Sequence, residues 1–488
     1  MSQRDLPIII QGGMGVAVSN WRLARAVSQL GQFGVVSGTA LDVVLVRRLQ
    51  TGDPGGHARR AVAQFPIPGI AERVLDRYFV PGGVGNGERL RSHPMGRLNP
   101  SRSLEDLMVL GNFVEIYLAK EGHEGRVGVN LLTKIQAPTI PSLYGAMLAG
   151  VDAVLMGAGI PREIPRVLDD LAAGRPAELR LDVKEAARDE VFKLAFDPGA
   201  YCGGDPVPVR RPDFYPIISS AVLATMLAKK ATGSVEGFIV EGPTAGGHNA
   251  PPRGKLRLSD SGEPIYGDKD VADLEQVAAV GLPFWLAGSY AEPERVAEAL
   301  AAGATGVQVG TAFAYCDESG FSPELKTAVL ARSREKSVEV FTDPVASPTG
   351  FPFKVVPLED TMSEQPVYEK RTRVCDLGYL RTAYRIDGDT VGWRCPSEPV
   401  GDYLRKGGDE ADTVGRKCVC NALLAGIGLG QVQKSGEPEL PLITSGDDVA
   451  RVARFLKPGA DSYTAADVVE YLLRDIPRRS SEGPGFGR

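Results

Sequence analysis

Histidine, cysteine and long apolar segments are scarce in this chain. Its 488 residues contain four histidines and six cysteines, and so few cysteines in a chain of this length do not make a disulfide scaffold. No run approaches the roughly 20 apolar residues that a membrane span needs. Residues 1–7 lack the apolar segment of a signal peptide. These absences predict a cytoplasmic protein that does not bind membranes.

An excess of positive charge is also missing. The formal net charge is −6 and the isoelectric point is near 5.6, which argues against a general nucleic-acid surface. The 43% hydrophobic and 24% charged content is that of an ordinary globular protein. A chain of 488 residues is too long for one small core, so we expect two domains or one barrel with large additions.

Short apolar segments alternate with helical patterns over most of the chain before residue 320. The first helix follows Ser19, its predicted N-cap, and the alternation repeats until eight strands are reached. Eight alternations predict a (β/α)8 barrel. A doubly wound open sheet is the alternative, but it usually has fewer strands and gives no reason for glycine at so many strand ends. The predicted strands lie near residues 8, 34, 128, 153, 216, 238, 285 and 307.

Two regions interrupt this alternation. Residues 39–126 are mostly helical and far too long for a plain crossover, so they are predicted to be an insertion in the barrel domain, residues 1–320. Residues 321–488 lack the alternation and are predicted to form a C-terminal cap or second domain. That region ends in two predicted helices, Asp447–Leu456 and Ala465–Asp475, the second capped by Thr464.

The segment from Val240 to Pro251 combines an acid, a glycine pair and a histidine directly after an apolar strand. These are Glu241, Gly246 with Gly247, and His248. A strand that ends in such a loop places its side chains at the mouth of a barrel. Paired glycines let a flat ligand approach the backbone, and an imidazole can exchange a proton near neutral pH. In the alternative, the glycines only turn the chain and His248 makes a structural hydrogen bond.

Small residues follow the seventh and eighth predicted strands, where barrel enzymes often bind phosphate. Gly288-Ser289 and Gly310-Thr311 expose backbone N–H groups and hydroxyl donors, and a helix from about Pro293 directs its positive end to the same place. Ordinary barrel turns are the alternative interpretation. The GxGxxG and GxxxxGK[ST] patterns are both missing, which argues against a Rossmann NAD site and a P-loop.

Other strand ends suit a flat polar ring. Gly13-Met14-Gly15 can lie along a ring face, and Asn130 and Gln308 offer donors and acceptors to a ring edge. Alternatively, the two amides fill the barrel or bind water.

Together these motifs resemble the nitronate monooxygenase family, also called the 2-nitropropane dioxygenase family, which includes flavin-type enoyl-acyl carrier protein reductases and some quinone reductases. The motifs that carry the resemblance are Pro7–Val16, Gly128–Leu132, Glu241–His248, Leu286–Gly288 and Gly306–Phe313.

The resemblance implies a (β/α)8 barrel with non-covalent FMN. It implies that His248 lies beside the flavin and serves in substrate binding or as a base. The flavin-binding residues expected from the motifs are Gly13, Met14, Asn130, Gly247, Gly288, Ser289, Gln308, Gly310 and Thr311.

The chain also departs from the family pattern. Gly288-Ser289 stands where the family usually reads Gly-Gly, and Ala250 stands where it often has glycine. The insertion and the C-terminal region are longer than in the compact nitronate enzymes. The resemblance therefore implies the fold and the flavin, and the substrate does not follow from it.

Four of the six cysteines lie within a short part of the C-terminal region. Four thiolates can hold Zn²⁺ or an iron–sulfur cluster, although the Cys-x-Cys spacing is weaker than paired CxxC motifs. Buried small residues or a redox-active pair are the alternatives. Two nearby segments, Asp376–Tyr384 and Pro396–Tyr403, are predicted to be irregular. The four cysteines are Cys375, Cys395, Cys418 and Cys420.

The leading hypothesis is an FMN-dependent oxidoreductase that oxidises a small nitronate or a related acidic-carbon substrate, with O2 as acceptor. An NAD(P)H-dependent enoyl-thioester reductase of fatty-acid or polyketide synthesis is the alternative, with acyl carrier protein as its partner. A non-catalytic flavin-binding protein is the second alternative. A homodimer is the expected assembly if the chain is not a monomer.

Overall fold

The computed structural model describes residues 6–85, 87–387 and 390–476. Within them, eight parallel strands form a closed barrel in which β1 pairs with β8. The predicted barrel is therefore confirmed, and each of its strands lies where the alternation placed it. Part of the signal-peptide argument rests on residues 1–5, which lie outside this part of the chain. The strands are β1 (Ile9–Gln11), β2 (Phe33–Ser37), β3 (Val127–Leu132), β4 (Ala153–Gly157), β5 (Asp213–Ile218), β6 (Phe238–Glu241), β7 (Phe284–Ala287) and β8 (Gly306–Val309).

Barrel strands form here because their sequences are apolar on both faces. Every residue of β2 and β4 is buried, as expected when helices cover the outside of a parallel sheet. Inside the barrel, Phe33, Tyr215 and Trp285 pack together, and the Trp285 indole N–H donates to the Pro7 carbonyl at 2.9 Å. These side chains fill the barrel, so ligands can bind only at its ends.

Helices surround the barrel, and the first one shows how closely they pack. A Cβ atom on Gly34 of β2 would overlap the carbonyl of Ala24, so only glycine allows this contact. The helix is capped by Asn20, whose side chain accepts from two backbone N–H groups. The prediction of Ser19 as the cap is wrong, because the Ser19 hydroxyl is bonded to the loop after β1. The helices of the barrel layer are Trp21–Gln29, Thr139–Leu148, Ile164–Ala172, Ala221–Lys230, Leu274–Ala278, Pro293–Ala301 and Thr311–Ala314.

Most of the described residues between 39 and 126 are helical, as predicted. The longest helix, Arg102–Lys120, is buried along most of its length. Its Glu115 accepts from the Trp21 backbone N–H at 3.0 Å and pairs with Arg48, which ties the insertion to the barrel. The other helices of this region are Leu41–Gln50, Pro54–Gly56 (3-10), His57–Val62 and Ile70–Tyr78.

Two antiparallel hairpins lie outside the barrel and were not predicted. Strands Ala177–Leu181 and Phe192–Phe196 pair with alternating buried and exposed residues. Strands Thr382–Asp387 and Thr390–Arg394 pair in turn, and Val183–Lys184 adds a third strand. The expectation of irregular structure is therefore wrong for Thr382–Tyr384, and also for residues 400–403, which are helical. The first pair carries the alternating apolar and polar residues of half-buried strands, a signal that was overlooked, whereas the alternation in the second pair is weaker.

The C-terminal region packs on the barrel. Phe321, Val452 and Val468 belong to the same hydrophobic cluster as Ile9 and Val307. The remaining elements are strands Phe341–Asp343 and Phe353–Val355, helices Pro323–Arg334, Gln365–Lys370, Val400–Arg405, Val419–Gly426 and Ala465–Leu473, and 3-10 helices Glu410–Thr413 and Asp447–Phe455; the helix Pro198–Cys202 and the 3-10 turn Asp268–Asp270 complete the described chain.

The two predicted terminal helices are present. Thr464 and Asp467 form a reciprocal capping box at the second, which confirms the predicted cap. The division into two domains at residue 320 stays a prediction. Among the described residues, no helix is long and apolar enough to cross a membrane.

Candidate active site

One cavity lies at the carboxyl ends of the barrel strands, and all ten predicted flavin-binding and catalytic residues line it. Barrel enzymes carry their active sites at this end, where the loops after the strands meet. The fold therefore brings these ten residues together around one cavity. Their contact with a cofactor stays a prediction. The ten are Gly13, Met14, Asn130, Gly247, His248, Gly288, Ser289, Gln308, Gly310 and Thr311.

The loop after β1 is held in a fixed shape beneath this cavity. The Ser19 hydroxyl donates to the Gly12 carbonyl at 2.9 Å and accepts from the Met14 N–H at 2.9 Å. A Cβ atom on Gly13 would overlap the Cβ of Asn130 on β3. Glycine is therefore required where the loop passes Asn130, and the backbone forms this part of the cavity floor.

Gln308 on β8 carries an unsatisfied acceptor. Its Oε1 atom is buried and has no hydrogen-bond partner among the described residues. A buried acceptor without a donor costs about 1–3 kcal/mol, so this atom marks a place where a bound group can supply an N–H. Asn130, by contrast, donates to the Leu155 carbonyl at 3.3 Å. An amide oxygen in this position could accept a hydrogen bond from the edge of a polar ring.

The loops after β6 and β8 meet the C-terminal region, and the loop after β7 packs against the loop after β6. Gly288 has a φ of 99°, and a Cβ on it would lie 2.8 Å from the Thr244 hydroxyl oxygen. The Thr311 hydroxyl accepts from the Gly446 N–H at 2.9 Å. The Gly247 N–H donates to the Thr444 hydroxyl at 3.0 Å. Residues 444–446 thus complete the cavity wall, and sequence patterns gave no signal for them.

His248 is held between two residues of the C-terminal region. Its Nε2 atom lies 2.6 Å from the Ser347 hydroxyl, and its ring centroid is 4.7 Å from that of Phe353. Burial lowers the pKa of His248 to about 4. The imidazole is therefore neutral at neutral pH, with a fixed orientation. Both partners are about 100 residues away in sequence, so the motif alone could not predict them.

Glu241 is the last residue of β6 and lines the same cavity as His248. Its carboxylate has no hydrogen bond or ion pair with any residue of the described chain. Burial raises the pKa of Glu241 to about 7. Its proton is thus exchangeable at neutral pH, where His248 is already neutral.

A buried polar network adjoins the cavity through Tyr379, which lines it. The Tyr379 hydroxyl donates to Asp42 Oδ1 at 2.5 Å, and His93 Nε2 lies 3.0 Å from Asp42 Oδ2. Burial disfavours the charged forms of Asp42 and His93. The attraction and hydrogen bond between the two side chains outweigh this effect of burial, so the pKa of Asp42 is lowered and the pKa of His93 is raised. The contact therefore favours the charged form of each group, and sequence reasoning missed this pair.

The four clustered cysteines come together but do not form a recognisable metal site. A hydrogen bond joins the Cys375 and Cys395 thiols; it lowers the pKa of Cys395 to about 7 and raises that of Cys375. Cys420 lines the cavity. Of the described residues, no three or more His, Cys, Asp or Glu side chains are grouped to hold a metal ion. A metal at Cys375, Cys395, Cys418 and Cys420 has no geometric support and stays a prediction.

The family model for nitronate monooxygenase matches residues 213–347. This match includes β5 to β8 and the loops with His248, Gly288 and Gly310. It confirms the resemblance that the motifs predicted and supports an oxidoreductase. No curated protein matches the chain.

Three solved structures are among those to which this chain is similar. FabK from Thermotoga maritima is 15% identical, with 96% of this chain and 92% of that chain covered and a TM-score of 0.49. Nitroalkane oxidase from Streptomyces ansochromogenes is 15% identical, with 96% and 95% covered and a TM-score of 0.46. The enoyl reductase domain of MlnA from Bacillus amyloliquefaciens is 10% identical, with 96% and 92% covered and a TM-score of 0.45.

Proposed function

We propose that this chain, which is similar to nitronate monooxygenases over residues 213–347, is an FMN-dependent oxidoreductase. It oxidises a small nitronate or a related acidic-carbon substrate, with O2 as the electron acceptor. The observation that carries the proposal is one shared cavity at the barrel mouth, which His248 and all nine predicted flavin-binding residues line.

The residues at this mouth fit a flavin. The buried Gln308 Oε1 atom has no hydrogen-bond donor among the described residues, so a flavin N–H could fill this role. At Gly13 the backbone without a side chain leaves a flat surface beside Asn130. The N–H groups of Gly288, Ser289 and Gly310 would hold the phosphate. When bound, FMN supplies the two-electron acceptor for the substrate.

His248 binds and orients the substrate in this proposal. Ser347 and Phe353 fix the ring, and the low pKa keeps it neutral, so it offers a hydrogen bond without a charge. A neutral imidazole carries one N–H donor and one acceptor nitrogen. The pair His248–Ser347 therefore selects the position of a nitro or carbonyl oxygen.

The first experiment is an absorbance spectrum of protein purified without oxygen, followed by metal analysis of the same sample. We expect flavin bands, and turnover of ethyl nitronate in air. His248→Ala should keep the flavin and lose most of the turnover, while His57→Ala, at a half-buried histidine outside the cavity, should retain it. A colourless protein that FMN cannot reconstitute would refute the proposal. Unchanged turnover of His248→Ala with flavin bound would refute the role of this residue.

The metal analysis also tests the four cysteines. Iron with a visible band that bleaches on reduction would support a cluster, and zinc alone would support a structural site. A protein that binds FMN and turns over no substrate would instead be a flavin-binding protein.

Enoyl-thioester reduction with NAD(P)H is the second candidate, and a second cavity favours it. Tyr379 and Leu380 line both cavities, so the two adjoin. A phosphate of a dinucleotide or of a carrier-bound thioester would meet cations there. Anaerobic NADPH oxidation that depends on an enoyl thioester would support this candidate over the nitronate reaction. Six cations of this second cavity lack an ion pair with any carboxylate of the described chain: Lys134, Arg180, Lys184, Arg188, Arg381 and Arg416.

A further inference from the structure

Two hydroxyl groups join His248 to the second cavity. The Ser347 hydroxyl oxygen lies 2.6 Å from His248 Nε2 and 2.9 Å from the Thr349 hydroxyl oxygen. Ser347 is fully buried. Thr349 lines the second cavity, whereas His248 lines the cavity at the barrel mouth. The imidazole is therefore bonded to a chain of hydroxyls whose far end lies in the other cavity.

Backbone hydrogen bonds hold this chain of hydroxyls in place. Arg416 Nη1 donates to the carbonyl oxygens of Ser347 at 2.6 Å and of Val345 at 2.7 Å. The Thr349 N–H donates to the Ser347 hydroxyl at 3.3 Å, and the Phe351 N–H donates to the Thr349 hydroxyl at 3.3 Å. These bonds fix the positions of both hydroxyl oxygens, so only the direction of their protons remains open.

One direction of the protons uses every donor in the chain. The Thr349 O–H then donates to Ser347, and the Ser347 O–H donates to His248 Nε2. In the reverse direction the Thr349 proton has no acceptor among the described residues. A hydroxyl without an acceptor loses the free energy of one hydrogen bond. The first direction is therefore favoured, and it makes Nε2 the acceptor nitrogen of the ring.

The other ring nitrogen of His248 then carries the proton. A neutral imidazole has one N–H, so the proton lies on Nδ1 when Nε2 accepts. Burial lowers the pKa of His248 to about 4 and keeps the ring neutral. Nδ1 makes no hydrogen bond with any residue that the structure describes. In this state His248 offers an N–H donor to a ligand in the barrel-mouth cavity.

The second cavity offers cations to an anion at the Thr349 end of the chain. Arg416 contacts the backbone on one side of Thr349, and on the other side Lys134 lies 5.3 Å from the centre of the Phe351 ring. Because the whole chain has a formal net charge of −6, an excess of cations is a local feature of this cavity. The cations without a carboxylate partner in the described chain are Lys134, Arg180, Lys184, Arg188, Arg381 and Arg416.

Carboxylates of the same cavity do not balance these cations. Four line it, and three of them are bonded within the protein. Asp182 is exposed, and its carboxylate accepts no hydrogen bond from a described residue. An anion with more than one negative charge, such as a phosphate or pyrophosphate group, fits this excess of cations. The bonded carboxylates are Asp42 (to Tyr379 and His93), Glu190 (to Arg385) and Asp412 (to Tyr403).

We infer that the second cavity binds a phosphate-bearing anion, and that this anion reverses the hydroxyl chain by accepting the Thr349 proton. The Ser347 O–H then donates to Thr349, and His248 Nε2 carries a proton that it donates to Ser347. Nδ1 gives up its proton to water as Nε2 gains one, so the ring stays neutral and the number of protons is unchanged. The anion thus converts Nδ1 from a donor into an acceptor. The inference rests on the proposed function only for the substrate that meets His248.

Nitrogen NMR of the purified protein with 15N-labelled histidine tests where the proton lies. A nitrogen that carries a proton and one that does not differ widely in chemical shift, and couplings to the ring protons distinguish Nδ1 from Nε2. The chain has four histidines, so the signals absent from His248→Gln belong to this ring. In buffer without phosphate at pH 7 we expect the proton on Nδ1. A proton on Nε2 under these conditions would overturn the inference.

Sodium pyrophosphate is the probe for the anion, with chloride keeping the ionic strength constant. We expect saturable binding and a change of at least about 10-fold in the ratio of the two tautomers toward Nε2–H, the effect of one hydrogen bond to a charged acceptor. Binding that leaves the His248 tautomer unchanged would overturn the coupling. A wild-type protein without saturable binding would overturn the site itself.

Variants at Thr349 test the hydroxyl chain. Thr349→Val keeps the shape and removes the hydroxyl, so pyrophosphate should still bind while the proton stays on Nδ1. Thr349→Asp supplies a fixed acceptor, so the proton should lie on Nε2 without pyrophosphate. Thr327→Val removes an exposed hydroxyl on a surface helix and should respond like the wild type. Equal responses of Thr349→Val and the wild type to pyrophosphate would contradict the hydroxyl chain.

Arg188→Gln tests the cations of the second cavity. This exposed side chain lines the cavity, and its loss should weaken pyrophosphate binding by about 3-fold, the size of one exposed charge pair. Arg89→Gln removes an exposed cation that does not line the cavity and should leave the affinity unchanged. Equal affinities of the two variants would contradict binding of the anion by these cations.

These measurements do not depend on turnover, so they separate the inference from the proposed function. A protein that moves the His248 proton in response to pyrophosphate but oxidises no nitronate supports the inference and refutes the function. An enzyme that oxidises nitronates while its His248 tautomer ignores pyrophosphate supports the function and overturns the inference.

Discussion

Replacing Glu241 by glutamine should stabilise the protein increasingly as the pH rises. Burial raises the pKa of this carboxyl group from its ordinary value of 4.5 to about 7. The fold therefore favours the protonated form, so the wild type loses stability as the pH rises from the unfolded pKa through the folded pKa. Glutamine resembles the protonated acid and does not titrate, so the free energy of unfolding of the variant does not fall with pH at this position.

The magnitude follows from the difference in pKa. About 2.5 units at about 1.36 kcal/mol each give at most about 3.4 kcal/mol. Because the unfolded carboxyl is already partly ionised at pH 5, about 2.5 kcal/mol of this falls between pH 5 and pH 8.5. Contact of the carboxylate with water in the cavity reduces the effect further, so we expect about 1–2.5 kcal/mol.

Urea unfolding at a series of pH values measures this effect. The difference in free energy of unfolding between the variant and the wild type should grow from pH 5 to pH 8.5, at equal flavin content. Other groups, including His93 and Asp42, titrate alike in both proteins and cancel in the difference. A difference that stays constant within about 0.5 kcal/mol would refute the environment assigned to Glu241.

Two other changes test the cavity and its surroundings. Asp42→Asn removes the carboxylate that pairs with the buried His93, so we expect it to lower the free energy of unfolding at pH 7 by about 3–5 kcal/mol. A loss below about 1 kcal/mol would contradict the contribution of this pair. Gly13→Ala forces the loop after β1 away from Asn130, and should weaken FMN binding by at least about 10-fold, measured by fluorescence titration with an unchanged circular dichroism spectrum. Gly204→Ala, where a Cβ meets open space, is its control, and equal flavin affinity in both variants would contradict the role of the loop.

The barrel could be predicted from the sequence because its signals are local. Each strand is a short buried apolar run, and glycine or a polar residue marks its carboxyl end, as at Gln308-Val309-Gly310. The predicted cavity residues lie at or near those strand ends, so the strand positions predicted that they would meet. The cap of the first helix was harder, because Ser19 and Asn20 are both good N-caps and the choice depends on the loop after β1.

The partners of the predicted residues could not be predicted, since they come from distant parts of the chain. Nothing near His248 indicates that Ser347 accepts or donates at its ring, or that Phe353 packs on it. Similarly, Tyr379, Asp42 and His93 meet only after folding. The periodicity of apolar residues shows which face of a helix or strand is turned toward the core. It does not show which distant part of the chain packs on that face.

The C-terminal region is part of the active site as well as a cover for it. It orients His248 through Ser347 and closes the loops after β6 and β8 through Thr444 and Gly446. It also shares a hydrophobic cluster with the barrel strands. Because the same segment excludes water from His248, it keeps the imidazole neutral. Glu241 lies at the other end of the same loop, open to a side cavity, and keeps an exchangeable proton. Glu241 and His248 thus lie seven residues apart, and burial shifts the pKa of each toward its neutral form.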